Sequence, residues 1–189
     1  MSNKEYPKPS LTADVVTFSL DDAGRISVLL IQRGKDPFAG RWAIPGGFCE
    51  PSETVLESAA RELVEETGIR ELPMVELGVF SRPGRDPRGW VVSVAHVAIL
   101  PAHRRDEAKG GDDARAAKFF SIGLDERGRV MLTADGEEAG PLAFDHDEIL
   151  ARSIARLEAS SGMLGSLLFG RPMSDEEAQR AIETALGRG

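Results

Sequence analysis

Glu62, Glu65 and Glu66 stand within five positions of one another in GGFCEPSETVLESAARELVEETGI, residues 46–69, a stretch with six glutamates. On a helix, at ~100° per residue, the three share one side. Like charges at that spacing repel by roughly 0.2–0.5 kcal/mol per pair in an isolated helix, so the crowding calls for a compensating partner. A hard divalent cation is one such partner. Magnesium takes oxygen ligands and is often held by one or two carboxylates together with substrate phosphates. The preceding Pro45-Gly46-Gly47 lets the backbone turn tightly and offer a carbonyl as a further ligand. A solvated acidic helix face is the competing reading, because Glu is a good helix former, and the helix alone does not choose between them.

The elements that must position these residues are legible. Thr54 with Glu57 three residues on is a capping box, and Gly68 supplies a left-handed stop, so a helix is expected between them. Leu56, Ala59, Ala60 and Leu63 recur at i, i+3, i+4 and i+7 as its apolar stripe, with Glu66 the acid nearest that stripe and partly desolvated. Glu57, Arg61 and Glu65 form an i, i+4 ladder in which Arg61 steadies an acid. Strands are expected at 13–20 and 25–33 around an Asp-Asp-Ala-Gly turn, then at 42–44, 75–81, 90–100 and 118–122, with a small hairpin around Val130. A second helix is expected over 145–159, burying Ile149, Leu150, Ile154 and Leu157. From Ser160 on the chain reads as an appendage, with a helix capped at Ser174. Strands surrounding two helices in this mixed order indicate an α/β (α+β) sandwich with a mixed β-sheet, divided as 6–159 and 160–189.

Composition narrows the function classes. The 189 residues carry 23 Lys and Arg against 31 Asp and Glu, a net charge of −8, which argues against a general nucleic-acid binder. Acidity does not exclude a phosphate substrate, since bound cations reverse the sign of a site locally. Cys49 is the single cysteine, so no internal disulfide forms and a reducing compartment fits; it reads as an inert thiol with no cation beside it in sequence. No signal peptide or apolar run of ~20 residues is seen. Cytoplasmic placement and no membrane partner are the expectation.

Gly47, five residues, Glu53, seven residues, then Arg61-Glu62-Leu63-Val64-Glu65-Glu66-Thr67-Gly68-Ile69 resembles the signature box of the Nudix hydrolases at every fixed position. That resemblance implies a Nudix-type α/β/α sandwich in which Glu62, Glu65 and Glu66 bind divalent metal, magnesium or manganese. It implies that Gly47 offers its carbonyl, and that Glu53 and Arg61 support the loop–helix geometry. The implied substrate is a nucleoside diphosphate linked to another group, its pyrophosphate cut by water. The chemistry agrees with the residues: a metal-clamped diphosphate needs positioning, charge neutralisation and a carboxylate to take a proton.

The resemblance extends over roughly residues 6–157. YPKPSLTADVV, LLIQRGKDPFAGRWAIPGGF, GRDPRGWVVSVA, GGDDA and LAFDHDEIL are similar to a bacterial subgroup described as ADP-ribose pyrophosphatase-like, which also supplies the sensor domain of Nudix-related regulators of NAD metabolism. Phe119 departs from it, standing where the subgroup tends to carry tryptophan. Arg33, Arg82 and Arg85 are the cationic candidates for substrate contact, because Arg suits bidentate phosphate recognition; Arg88 reads as a surface arginine paired with an acid. Phe38 is a candidate for stacking on adenine, whereas Trp42 reads as core. Glu66, Glu62, Asp112 and Asp113 are the catalytic candidates, with Glu107 a third position for the proton acceptor outside the box. An Asx-rich turn is the other reading of Asp112 and Asp113. His96 reads as structural, His146 as a capping or packing residue, and His103 has no functional argument.

Two functions from different classes follow: a metal-dependent pyrophosphatase acting on ADP-ribose or a related nucleotide, and a ligand-sensing regulator using the same fold. A sanitising hydrolase of other nucleotides is a variant of the first. Only 38 residues follow Ala151, and residues 151–189 hold five Arg and five acids. That segment is too short and not basic enough for a complete DNA-binding domain, so DNA binding is not expected. The subgroup resemblance implies a homodimer.

Overall fold

A computed structural model describes residues 6–111, 114–125, 127, 129–159 and 161–188. The central strand β1 (Ser10–Leu20) turns into β2 (Ile26–Arg33) through the expected tight turn. There the Asp21 carboxylate accepts from the Ala23 and Arg25 backbone N–H groups, and Gly24 takes φ 74°. Two short strands follow, β3 (Trp42–Ala43) on β2 and β4 (Gly46–Phe48) on β1. Then come helix α1 (Val55–Thr67), β5 (Met74–Phe80), β6 (Val91–Ile99), a 3-10 turn over Ala102–Glu107, β7 (Ala114–Leu124), β8 (Val130–Ala134) and β9 (Glu137–Glu138). Helices α2 (His146–Ala159), α3 (Ser161–Phe169) and α4 (Asp175–Ala185) complete the order.

The sheet runs β5-β6-β1-β2-β7-β8-β9. β1 lies parallel to β6 and antiparallel to β2 and β4, so the sheet is mixed as expected. Alternation along β1 divides the core, because successive side chains of a strand point to opposite faces. Ala13 and Val15 pack with Ala59 and Leu63 of α1, while Val16 and Phe18 pack with Ile149 and Ile154 of α2. The result is helix, sheet, helix.

α1 opens and closes as its sequence dictates. Thr54 and Glu57 form the reciprocal capping box, and Gly68 ends the helix at φ 76°. Its buried face differs from the expected stripe. Leu56 is 51% exposed and Ala60 is exposed, while Ser58, Ala59, Leu63, Glu66 and Thr67 are buried. The helix is rotated so that small residues meet the sheet and the acidic edge faces β4; periodicity alone scored Leu56 as core because it could not know where the sheet lies.

Residues beyond 160 hold one helix more than expected. Leu164 and Leu168 of α3, with Ile182 of α4 and Leu186, join the same apolar cluster as α2. Gly165 brings α3 close to α4, since a Cβ there would lie 2.6 Å from the Cβ of Ala178. The glycines of SGMLGSLLF weaken its helical signal, yet one of them permits the packing. β4 is a further strand beyond those expected, because a Gly-Gly pair reads as loop. β7 begins four residues earlier than expected, at Ala114.

Candidate active site

β2, β4 and α1 converge on one cleft of about 590 Å3 whose walls include Gly46, Gly47, Phe48, Arg61, Glu62, Glu65, Glu66, Arg33 and Arg88. Glu66 is buried at the floor, and one of its oxygens accepts a hydrogen bond from the Gly46 backbone N–H at 2.9 Å. Burial pushes its carboxyl up to about 8, with the neighbouring charges of Glu62 and Asp14 adding to the effect. Burial also raises Glu62. At Gly47 a Cβ would overlap the Glu62 carboxylate, so any side chain there displaces that acid. Gly46 is the more strictly confined, against the Ala13 carbonyl and the Asp14 backbone and side chain.

Arg61 organises the acids. Its Nε and Nη2 donate to Glu53 at 3.0 and 2.7 Å, and its Nη1 to Glu62 at 2.7 Å and Glu65 at 3.1 Å. Nη2 also donates to the Phe48 carbonyl at 3.0 Å. These hydrogen bonds hold the Glu53 carboxyl down at about 2 and raise the guanidinium further above its ordinary value. Glu57 takes no part in the expected ladder with Arg61; its carboxylate accepts from the Thr54 backbone N–H and hydroxyl instead. Among the described residues, no three acidic, histidine or cysteine side chains converge on a ready-made cation position. The guanidinium bridges Glu62 and Glu65 and itself relieves the crowding.

The donor chemistry nevertheless fits a hard cation. Glu62, Glu65, Glu66 and the backbone of Gly47 supply only oxygen, and a desolvated carboxylate gains most from a nearby positive charge.

The arginines expected to meet substrate separate into different roles. Arg33 lines the cleft, with Nε donating to the Pro37 carbonyl at 2.8 Å. Arg82 lies outside it, 3.7 Å from Glu148 on the exposed surface. Arg85 is buried and holds Asp145 in a fork, with Nε and Nη2 donating at 2.9 and 2.6 Å. Its charge is paired internally, and it lines a smaller cavity that shares Arg33, Gly46, Gly47 and Arg88 with the cleft. Arg88 pairs with Asp86 as expected for a surface arginine, yet it also lines the cleft. No charge pattern in RPGRDPRG separates Arg85 from Arg88; only the fold does.

Phe38 packs edge-on against Phe144 at 4.9 Å, and both adopt left-handed backbone, φ 69° and 56°, which bulky residues hold only when their surroundings impose it. Trp42 packs edge-on against Phe120 at 4.7 Å and belongs to the core, as expected. The aromatic ring in the cleft is that of Phe48, which the sequence reading passed over. Phe119 is half-buried under the Arg105 guanidinium, whose Cζ lies 4.1 Å from the ring centre.

Glu107 pairs with Arg104 at 2.7 Å, away from the cleft. Asp112 and Asp113 lie outside the described residues. Before them, Lys109 and Gly111 donate backbone N–H groups to the Thr67 and Glu66 carbonyls, which caps the free carbonyls at the end of α1. His146 is a packing residue: Nδ1 accepts from the Ile44 N–H at 2.9 Å, leaving the proton on Nε2, 3.9 Å from Asp14. Its burial lowers its pKa, as burial does for His96 in β6. Cys49 is a free thiol that lines the cleft.

A profile of the NUDIX domain matches residues 10–143. The chain is 42% identical over 125 residues to the ADP-ribose pyrophosphatase of Methanocaldococcus jannaschii, covering 65% of this chain and 63% of that protein. It is 32% identical over 157 residues to the ADPR responsive transcriptional repressor NtrR of Acinetobacter baylyi, covering 81% of this chain and 56% of that protein. The chain therefore spans less than two thirds of the length of these relatives. A MutT/nudix family protein from Enterococcus faecalis superposes with a TM-score of 0.74 at 29% identity, covering 97% of this chain and 84% of that one. With its box of acids, its mixed sheet between helices and a domain match over most of its length, the chain belongs to the NUDIX family.

Proposed function

We propose that the protein hydrolyses the pyrophosphate of a nucleoside diphosphate derivative, ADP-ribose first among them, with magnesium or manganese. The observation that carries this reading is the contact of Glu62 with Gly47 and of Glu66 with the Gly46 N–H in a cleft that Arg33 and Arg88 also line. The M. jannaschii relative's name points to the same substrate.

Glu62, Glu65, Glu66 and the Gly47 carbonyl would hold the cation. When bound, it neutralises the diphosphate and acidifies water. The chain's own residues do the rest. Arg61 fixes the acids relative to β4, and the Gly46 N–H holds the Glu66 carboxylate in place. Arg33, which also lines the cleft, meets the negative charge of the substrate. Glu66 or Glu62 takes the proton of the attacking water.

A homodimer and a cytoplasmic setting belong to the same reading, the first from the subgroup resemblance and the second from the lone cysteine. Among the described residues, no helix is long and apolar enough to cross a membrane. The resemblance to the A. baylyi repressor supports a second reading, a regulator that binds the same nucleotide. Incubation with ADP-ribose and magnesium tests the first: AMP and ribose 5-phosphate are the expected products, and Glu66→Gln abolishes their release. Absence of hydrolysis across a panel of nucleoside diphosphate derivatives with either metal would sink the enzyme reading. Tight, sequence-specific DNA binding would establish the regulator.

A further inference from the structure

The cleft is lined mainly by charged and small residues, yet one large aromatic ring stands in it. Phe48 is 41% exposed and follows Gly47 directly on β4. Over one of its faces lies Arg88, whose Cζ is 4.6 Å from the Phe48 ring centre and 5.1 Å from that of Phe144. Arg88 is gripped from behind by the buried Asp86 carboxylate, to which its Nε and Nη2 donate at 3.0 and 2.7 Å and its backbone N–H at 2.8 Å. Phe48 is anchored as well. Its Cα pairs with Thr12 of β1, and its carbonyl accepts from Arg61, the guanidinium that also holds Glu53, Glu62 and Glu65. The ring, the cation beside it and the acids are one connected frame.

We propose that the Phe48 ring, with the Arg88 guanidinium over one face, offers its other face as the stacking platform for the nucleobase of the substrate. The assignment rests on the reading of the cleft as a nucleoside diphosphate site. The acids and Gly47 deal with the diphosphate, and the part of such a substrate left to recognise is a flat π surface. An exposed aromatic ring held rigid by its backbone meets that surface at low entropic cost, and an adjacent cation adds to the attraction. Phe38 and Trp42 do not line the cleft; they pack on Phe144 and Phe120. Stacking reads a face and not the edge of a base, so the platform accepts purines in general.

Phe48→Leu and Phe48→Ala test this, since the residue is exposed enough for both to fold. The leucine variant keeps apolar bulk and removes the π face. Two measurements are made: kcat and KM for ADP-ribose with magnesium, and equilibrium binding of AMP and of ribose 5-phosphate to the metal-free chain. Loss of stacking is expected to raise KM about 5- to 100-fold, with AMP affinity falling by a similar factor. kcat is expected to change much less, and ribose 5-phosphate binding is unaffected. Unchanged KM and AMP affinity in both variants overturns the platform while leaving hydrolysis by the wild type intact. A leucine variant indistinguishable from wild type, with only alanine impaired, also overturns it, because bulk and not stacking is then what matters. If the wild type hydrolyses nothing, the AMP measurement still reads the platform separately from the enzyme assignment.

Discussion

The Glu62 carboxylate lies against Gly47 with no room for a Cβ between them. A side chain at 47 must push the acid away from β4 or push β4 off β1. Gly47→Ala is expected to reduce turnover about 100-fold, because a displacement of ~1 Å at a reacting centre costs that much. Steady-state kinetics beside a metal-binding titration will show whether both losses occur together.

Glu66 governs how the metal-free chain responds to pH. Its ordinary value is 4.5, and burial pushes it to about 8 in the folded state. Between those values the folded chain keeps a proton that the unfolded chain releases, so stability from this group is complete below pH 4.5 and is lost as pH rises through 8. Burial shifts Glu62 in the same direction. Glu53, held at about 2, contributes stability that disappears only on acidification below its ordinary range. In chelator, Tm should therefore fall from pH 5 to pH 8. Glu66→Gln should flatten that slope, and magnesium should raise Tm most at the alkaline end. A slope unchanged by Glu66→Gln would contradict the assignment.

Arg61 binds three acids and one carbonyl through a planar fork that an ammonium does not reproduce. Arg61→Lys keeps the charge and loses the geometry. Metal affinity or turnover is expected to fall about 10- to 100-fold, the usual consequence of removing a residue that orients ligands. Calorimetric metal titration and kcat together report it.

Arg85 and Asp145 form a buried pair, with side chains 4% and 3% exposed. Removing one partner strands the other in the interior. Arg85→Ala is expected to cost about 3–5 kcal/mol in denaturant unfolding. A stable variant with a greatly raised KM would instead restore Arg85 as a substrate contact.

Much of α1 was legible from local chemistry. A capping box, a glycine stop and a run of acids at helical spacing act within a few residues of one another, and the structure reproduces each of them. Leu56 was misplaced for the opposite reason: which face of a helix is buried depends on where the sheet lies, and the sheet is assembled from strands up to eighty residues away. α3 escaped because glycine weakens a helix in isolation, while its use here is the close approach to Ala178.

The same division runs through the site. Glu62, Glu65, Glu66, Gly47, Glu53 and Arg61 belong to one contiguous stretch, so spacing together with the resemblance to the signature box singled them out before the fold was known. The arginines and aromatics come from separate loops, and only tertiary structure decided their partners. Arg85 found Asp145 across sixty positions and was paired there, while Arg88, three residues on, reached the cleft wall. Phe48 is ordinary in sequence, but the pairing of β4 with β1 puts its ring in the open beside the acids. Short-range order follows from local backbone preferences; the choice among several similar side chains at a distance is made by long-range packing and by which charges end up desolvated together.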